Sequence, residues 1–140
     1  MVLGSAASEK QVFGGNVERY LLIAIGGALG SCARFAAGTL VSVRYGSQFP
    51  WGTLVVNVTG SFLIGVFLAW TTERVLIDPR WRFFLAVGVC GGYTTFSSFA
   101  YDTMQLITKG YLLSAFGNVA LSTVASVAAV FLGVAFGRLV

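Results

Sequence analysis

The chain has no histidine, two cysteines, two prolines and few charges: of 140 residues only 10% are Asp, Glu, Lys or Arg. Soluble domains carry about 25% charged residues. Without histidine, one subunit cannot build a Ser-His-Asp triad, a Cys-His pair or a His/Cys metal cluster. The two thiols, Cys32 and Cys90, fall in apolar stretches and read as small packing residues. Carboxylates are absent from residues 20–72, 83–101 and 112–140, with Asp102 near the end of the third stretch. Proton-coupled pumps and cation exporters rely on intramembrane carboxylates that bind and release the coupling ion, so that chemistry is missing.

What remains is apolar. Hydrophobic residues make up 56% of the chain and mean hydropathy is +0.83, the composition of an integral membrane protein. Four stretches, at residues 20–43, 51–72, 83–104 and 112–137, each meet the requirement of about 20 residues for a spanning helix. We expect an all-α fold in which residues 18–140 form a single four-helix transmembrane domain, its last helix long enough to tilt or bend. Residues 1–17 read as a mobile tail, without the basic start and apolar core of a signal peptide. The loops, at residues 44–50, 73–82 and around 109–110, are too short for an extramembrane domain. An enzyme is the least expected class.

Basic residues sit at the membrane edges. Lys10, Arg19, Arg74, Arg80, Arg82 and Arg138 fall on the amino-terminal side; Arg34, Arg44 and Lys109 fall on the other. That asymmetry favours a cytoplasmic amino terminus only weakly. Arg34 lies inside the first span, where it either snorkels or draws anions into a vestibule.

Residues 91–99, Gly-Gly-Tyr-Thr-Thr-Phe-Ser-Ser-Phe, interrupt the third span with paired glycines and hydroxyls. In lipid such a break needs shelter from protein or a wet cavity. If helix resumes after it, Phe96 and Phe99 share a face at i and i+3, with Thr95 and Ser98 beside them. Ring edges are electropositive and hydroxyls donate, which suits an anion. Carbonyls freed at the end of the preceding half-helix suit a cation instead. Two further polar stripes run along Asn57, Ser61 and Gly65 and along Asn118, Ser122 and Ser126. Either serves an anion path or helix packing. The pairs Gly26/Gly30 and Gly133/Gly137 have the GxxxG spacing of close helix contacts.

Three motifs in order resemble the Fluc/CrcB family of fluoride channels: Gly26-Gly27-Ala28-Leu29-Gly30 with Arg34, Gly52 to Asn57 with Gly60 to Gly65, and Gly88 to Phe99. The resemblance implies an antiparallel, dual-topology homodimer of four-helix subunits, each with a broken third helix, in the cell (inner) membrane. It implies passive fluoride export through two pores. By motif, Asn57, Phe96, Ser98 and Phe99 line the pore, and Ser122 and Ser126 resemble the family's fourth-helix polar track. The carbonyls of Gly91 and Thr94 would hold a structural sodium ion at the dimer twofold. Ser98 stands where the family often has Thr, and Asn118 where several relatives have Tyr. Two other classes fit the size: a small multidrug-type transporter, which should carry an embedded Glu absent here, and a non-transporting membrane assembly subunit.

Overall fold

The computed structural model describes residues 17–73, 78 and 80–139. The tail through residue 16, together with Arg74, lies outside the described residues. Six helical segments follow in order: α1 (Val17–Tyr45), α2 (Trp51–Glu73), α3 (Arg82–Cys90), α4 (Gly91–Tyr93), α5 (Phe96–Thr108) and α6 (Leu112–Leu139). No strand occurs among them. Four stretches are long and apolar enough to cross a bilayer: Val17–Tyr45, Trp51–Thr71, Arg82–Thr108 and Leu112–Leu139, with mean hydropathies of 1.5, 1.8, 1.3 and 2.2. The protein is therefore a multi-pass membrane protein.

The turns follow local chemistry. Gly46 and Gly110 both take φ of +82°, a left-handed conformation that L side chains rarely adopt. At Gly110 the amides of Gly110 and Tyr111 bond back to Ile107 O and Leu106 O, a Schellman closure that satisfies the last carbonyls of α5. Pro50 precedes α2, and its carbonyl accepts the Leu54 amide. That position leaves its missing N–H without consequence.

Size segregates inside to outside. Large side chains such as Phe35, Leu113 and Phe131 face outward, whereas the buried positions are mostly Ala, Gly and small polar residues. Lipid solvates the outer face, so burial of bulky residues supplies no driving force between helices, and close backbone packing takes over. α1 packs along α3 and α4, and α2 along α6. A Cβ at Gly26 would strike Phe84 O and one at Gly30 would strike Val89 O. On the second seam, a Cβ at Gly133 would strike Phe62 O and one at Gly137 would lie 2.7 Å from Val66 O. Both GxxxG pairs thus mark helix seams.

α3 is wound as a π-helix through all nine of its residues. Such windings are uncommon beyond a single turn and gather at functional sites. This one delivers the chain directly into the Gly91–Phe99 segment.

Candidate functional site

α4 ends after three residues because the backbone turns extended at Thr94 (φ −78°, ψ 157°) and Thr95 (φ −151°, ψ 119°). β-Branched threonines accommodate that conformation well. Thr94 stays tied to the preceding turn, its amide and Oγ1 both donating to Cys90 O at 2.9 Å. Thr95 is held from across the molecule. The Asn57 amide on α2 accepts from the Thr95 N–H at 2.7 Å and donates to the Thr95 carbonyl at 2.9 Å. One side chain thereby replaces two ladder bonds that an unbroken helix would have made itself. Thr95 then caps α5, its Oγ1 accepting the Ser98 amide at 3.1 Å.

These bonds divert two amides. In a continuous helix the Thr95 N–H would close onto Gly91 O and the Ser98 N–H onto Thr94 O. Both donors point elsewhere, so the carbonyls of Gly91 and Thr94 lose their ladder partners. Gly91 is also exposed at the surface of the chain.

Two grooves flank the junction and share Thr95. One, of about 450 Å³, is lined by Asn57, Ser61, Thr94, Phe96, Phe99, Ser122 and Ser126 among others. The other, of about 540 Å³, includes Arg34, Ser31, Thr53 and Ser98. Five of the expected pore residues, Asn57, Phe96, Phe99, Ser122 and Ser126, therefore gather in one groove, while Ser98 lies in the second with Arg34. The reason is helical geometry: Ser98 lies between Phe96 and Phe99 in sequence but about 100° from Phe99 around the axis. The phenylalanine rings contact each other with centroids 5.4 Å apart and planes inclined by 49°. Phe96 is 79% exposed although it lines a groove, so this chain alone does not close that groove.

Asn57 lines the groove and also braces the junction. With its oxygen and one N–H engaged by Thr95, one N–H remains for a ligand. Asn118, in line with Ser122 and Ser126, is fully buried and lines neither groove. Among the described residues no cluster of three or more acidic or thiol side chains forms a metal site. Any cation here would depend on backbone carbonyls.

Two features escaped the sequence reading of the site. Thr95, read only as a neighbour of the ring face, is the N-cap of α5 and the partner of Asn57, and a threonine directly before the resumed helix is the signal that would have found the cap. Thr53 Oγ1 donates to Asp102 Oδ2 at 2.6 Å, linking α2 to α5. Thr53 and Ser42 line both the Arg34 groove and an adjoining cleft of about 570 Å³ containing Asp102, Gln105 and Lys109.

Comparison with known proteins follows the same residues. A family profile described as CrcB-like protein, Camphor Resistance (CrcB), matches residues 21–134, which include both grooves. A protein of Opitutus terrae named fluoride-specific ion channel FluC is 53% identical over 116 residues, covering 81% of this chain and 88% of that protein. One of the same name from Koribacter versatilis is 46% identical over 114 residues, covering 81% and 90%. A third, from a Sulfurihydrogenibium species, is 40% identical over 123 residues, covering 88% and 99%. With the profile spanning most of the chain and identities at this level across nearly whole relatives, the chain belongs to the CrcB family.

Proposed function

We propose that this protein is a fluoride-selective channel that lets the anion leave the cytoplasm passively. It is not an enzyme. The observation that carries the reading is the groove in which Phe96 and Phe99 stand in ring contact beside Asn57, Ser122 and Ser126. Fluoride is small and strongly hydrated, so a pore must replace its water with successive donors without holding it too tightly. Hydroxyls, the remaining Asn57 N–H and ring edges offer such contacts without a fixed positive charge. The middles of the spans carry no carboxylate, and Asp102, towards the end of the third, is engaged by Thr53, which suits a passive path driven by the membrane potential. The names of the relatives point the same way.

The finer reading is a dual-topology, antiparallel homodimer with two pores, in which α3, α4 and α5 act as one broken membrane-crossing helix. The exposure of Phe96 within its groove supports it, because a second copy would supply the missing wall. Sodium is the structural ion of this reading. The carbonyls of Gly91 and Thr94, stripped of their ladder donors, fit a hard cation, and they would hold it from the backbone alone. Bound there, the ion would neutralise the partial negative charge of these carbonyls at the subunit contact.

Liposomes bearing the purified protein are expected to release fluoride while chloride efflux stays at the level of empty vesicles; equal fluxes would end the fluoride-selective reading. Exchange of sodium for N-methylglucamine is expected to lower the melting temperature of the detergent-solubilised dimer. Indifference to the exchange would remove the sodium site and leave the channel reading intact.

A further inference from the structure

Asn118 is 0% exposed and lines neither groove, yet it touches residues that bear on the pathway. Ser122 Oγ donates to Asn118 Oδ1 at 3.3 Å. Asn118 Nδ2 donates to Thr103 Oγ1 at 2.9 Å, and Thr103 Oγ1 donates to the Phe99 carbonyl at 2.8 Å. The bonds run in one direction, from a groove hydroxyl on α6, through a buried amide, to the backbone that carries a groove phenylalanine on α5. α6 is also the principal neighbour of α5.

From this we infer that Asn118 is a positioning residue that fixes Ser122 relative to Phe99 through Thr103, and does not itself meet the ion. Burial makes the relay consequential. An amide in an apolar surround has no water to fall back on, so removing either partner leaves a polar group unpaired. Thr103 is essential because its hydroxyl accepts and donates at once. Without it, Asn118 loses its bond to α5, and Ser122 is no longer tied through that amide to the helix that carries Phe99. The inference rests on the channel reading for its functional consequence but not for its geometry.

The test compares Thr103→Val, Thr103→Ser, Asn118→Leu and the Thr103→Val/Asn118→Leu pair, each checked for dimer by size-exclusion chromatography. Thr103→Val, which keeps the shape and loses the hydroxyl, is expected to raise the half-saturating fluoride concentration about fivefold, and Thr103→Ser to restore it. Asn118→Leu should match Thr103→Val, and the double variant should be no worse than either single one. Wild-type behaviour of Thr103→Val, failure of Thr103→Ser to rescue, or multiplied effects in the double variant would each overturn the relay. If Asn118→Leu does not fold, the Val and Ser pair at position 103 decides alone. If the wild-type protein releases no fluoride, the channel reading falls. The relay is then judged by melting temperature, where Thr103→Val must lower it and Thr103→Ser must not.

Discussion

The seams and the junction obey opposite rules. Along α1 against α3 and α2 against α6, glycines bring backbone onto backbone, with carbonyls where side chains would stand. At Thr94 and Thr95 the backbone leaves the helix; its diverted amides are answered by the Asn57 side chain and the Thr95 hydroxyl, while the carbonyls of Gly91 and Thr94 lose their ladder partners. The seams leave no room for a side chain at these glycines because backbone atoms face them directly. The junction is specific because its partners are few and individually replaceable. A membrane protein needs both: an irregular backbone survives at membrane depth only where protein satisfies its polar groups, and the seams hold that protein in register.

The sharpest way to break the comparison is to attack a seam. Gly30→Val places a branched side chain where Val89 O already stands, with the Tyr93 amide 2.9 Å from the first added carbon. Both obstacles are backbone, so no rotamer change relieves them. Overpacking of this kind costs about 3 kcal/mol. The expected outcome is loss of folded protein from the membrane fraction, read by size-exclusion chromatography in detergent. A monodisperse, conducting Gly30→Val protein would show that α1 and α3 are not locked.

Next comes the junction itself. Asn57→Leu preserves bulk but strips both bonds from Thr95, leaving its N–H and carbonyl to find other partners. An unsatisfied buried group costs about 1–3 kcal/mol. Since the seams are untouched, the protein should still fold and run as a single species in detergent, while fluoride flux drops by more than tenfold. If flux and stability fell together to the level of Gly30→Val, seam and junction would be one cooperative unit and the distinction between them would collapse.

The two regions were also unequally legible before the fold was known. Glycine spacing at positions 26/30 and 133/137 pointed to the seams because GxxxG has one geometric meaning on a helix. The four spans were legible from hydropathy, with ends displaced by up to four residues. The third runs on to Thr108 since Thr103, Gln105 and Thr108 satisfy their polar groups within α5. The spacing of Phe96 and Phe99 foretold a shared face, and the rings do touch. The π-winding of Arg82–Cys90 left no mark in the residue pattern, which carries no proline or other local signal for it. Nor was it legible that Asn57 turns both ends of its amide onto Thr95, which lies 38 residues away in sequence. A stripe on one helix names a face, whereas a partner on another helix depends on how the two cross.

The smallest expected effect concerns the groove that holds Arg34 and Ser98. Arg34 is half-buried there, and among the described residues it has no acidic partner. If the guanidinium works as a vestibule charge, it acts at a distance by raising the local anion concentration, not by making the bonds that shape the junction. Its influence should therefore be screened by salt, whereas that of Asn57 should not. The Debye length shrinks from about 10 Å at 0.1 M to about 3 Å at 1 M ionic strength. Arg34→Gln is expected to lower fluoride flux about threefold at low ionic strength and hardly at all when an impermeant salt is raised towards 1 M. Asn57→Leu should show the same deficit in both conditions. A salt-independent loss in Arg34→Gln would place the guanidinium among the groups that directly shape the path, and the Arg34 groove would then belong to the junction and not to its approach.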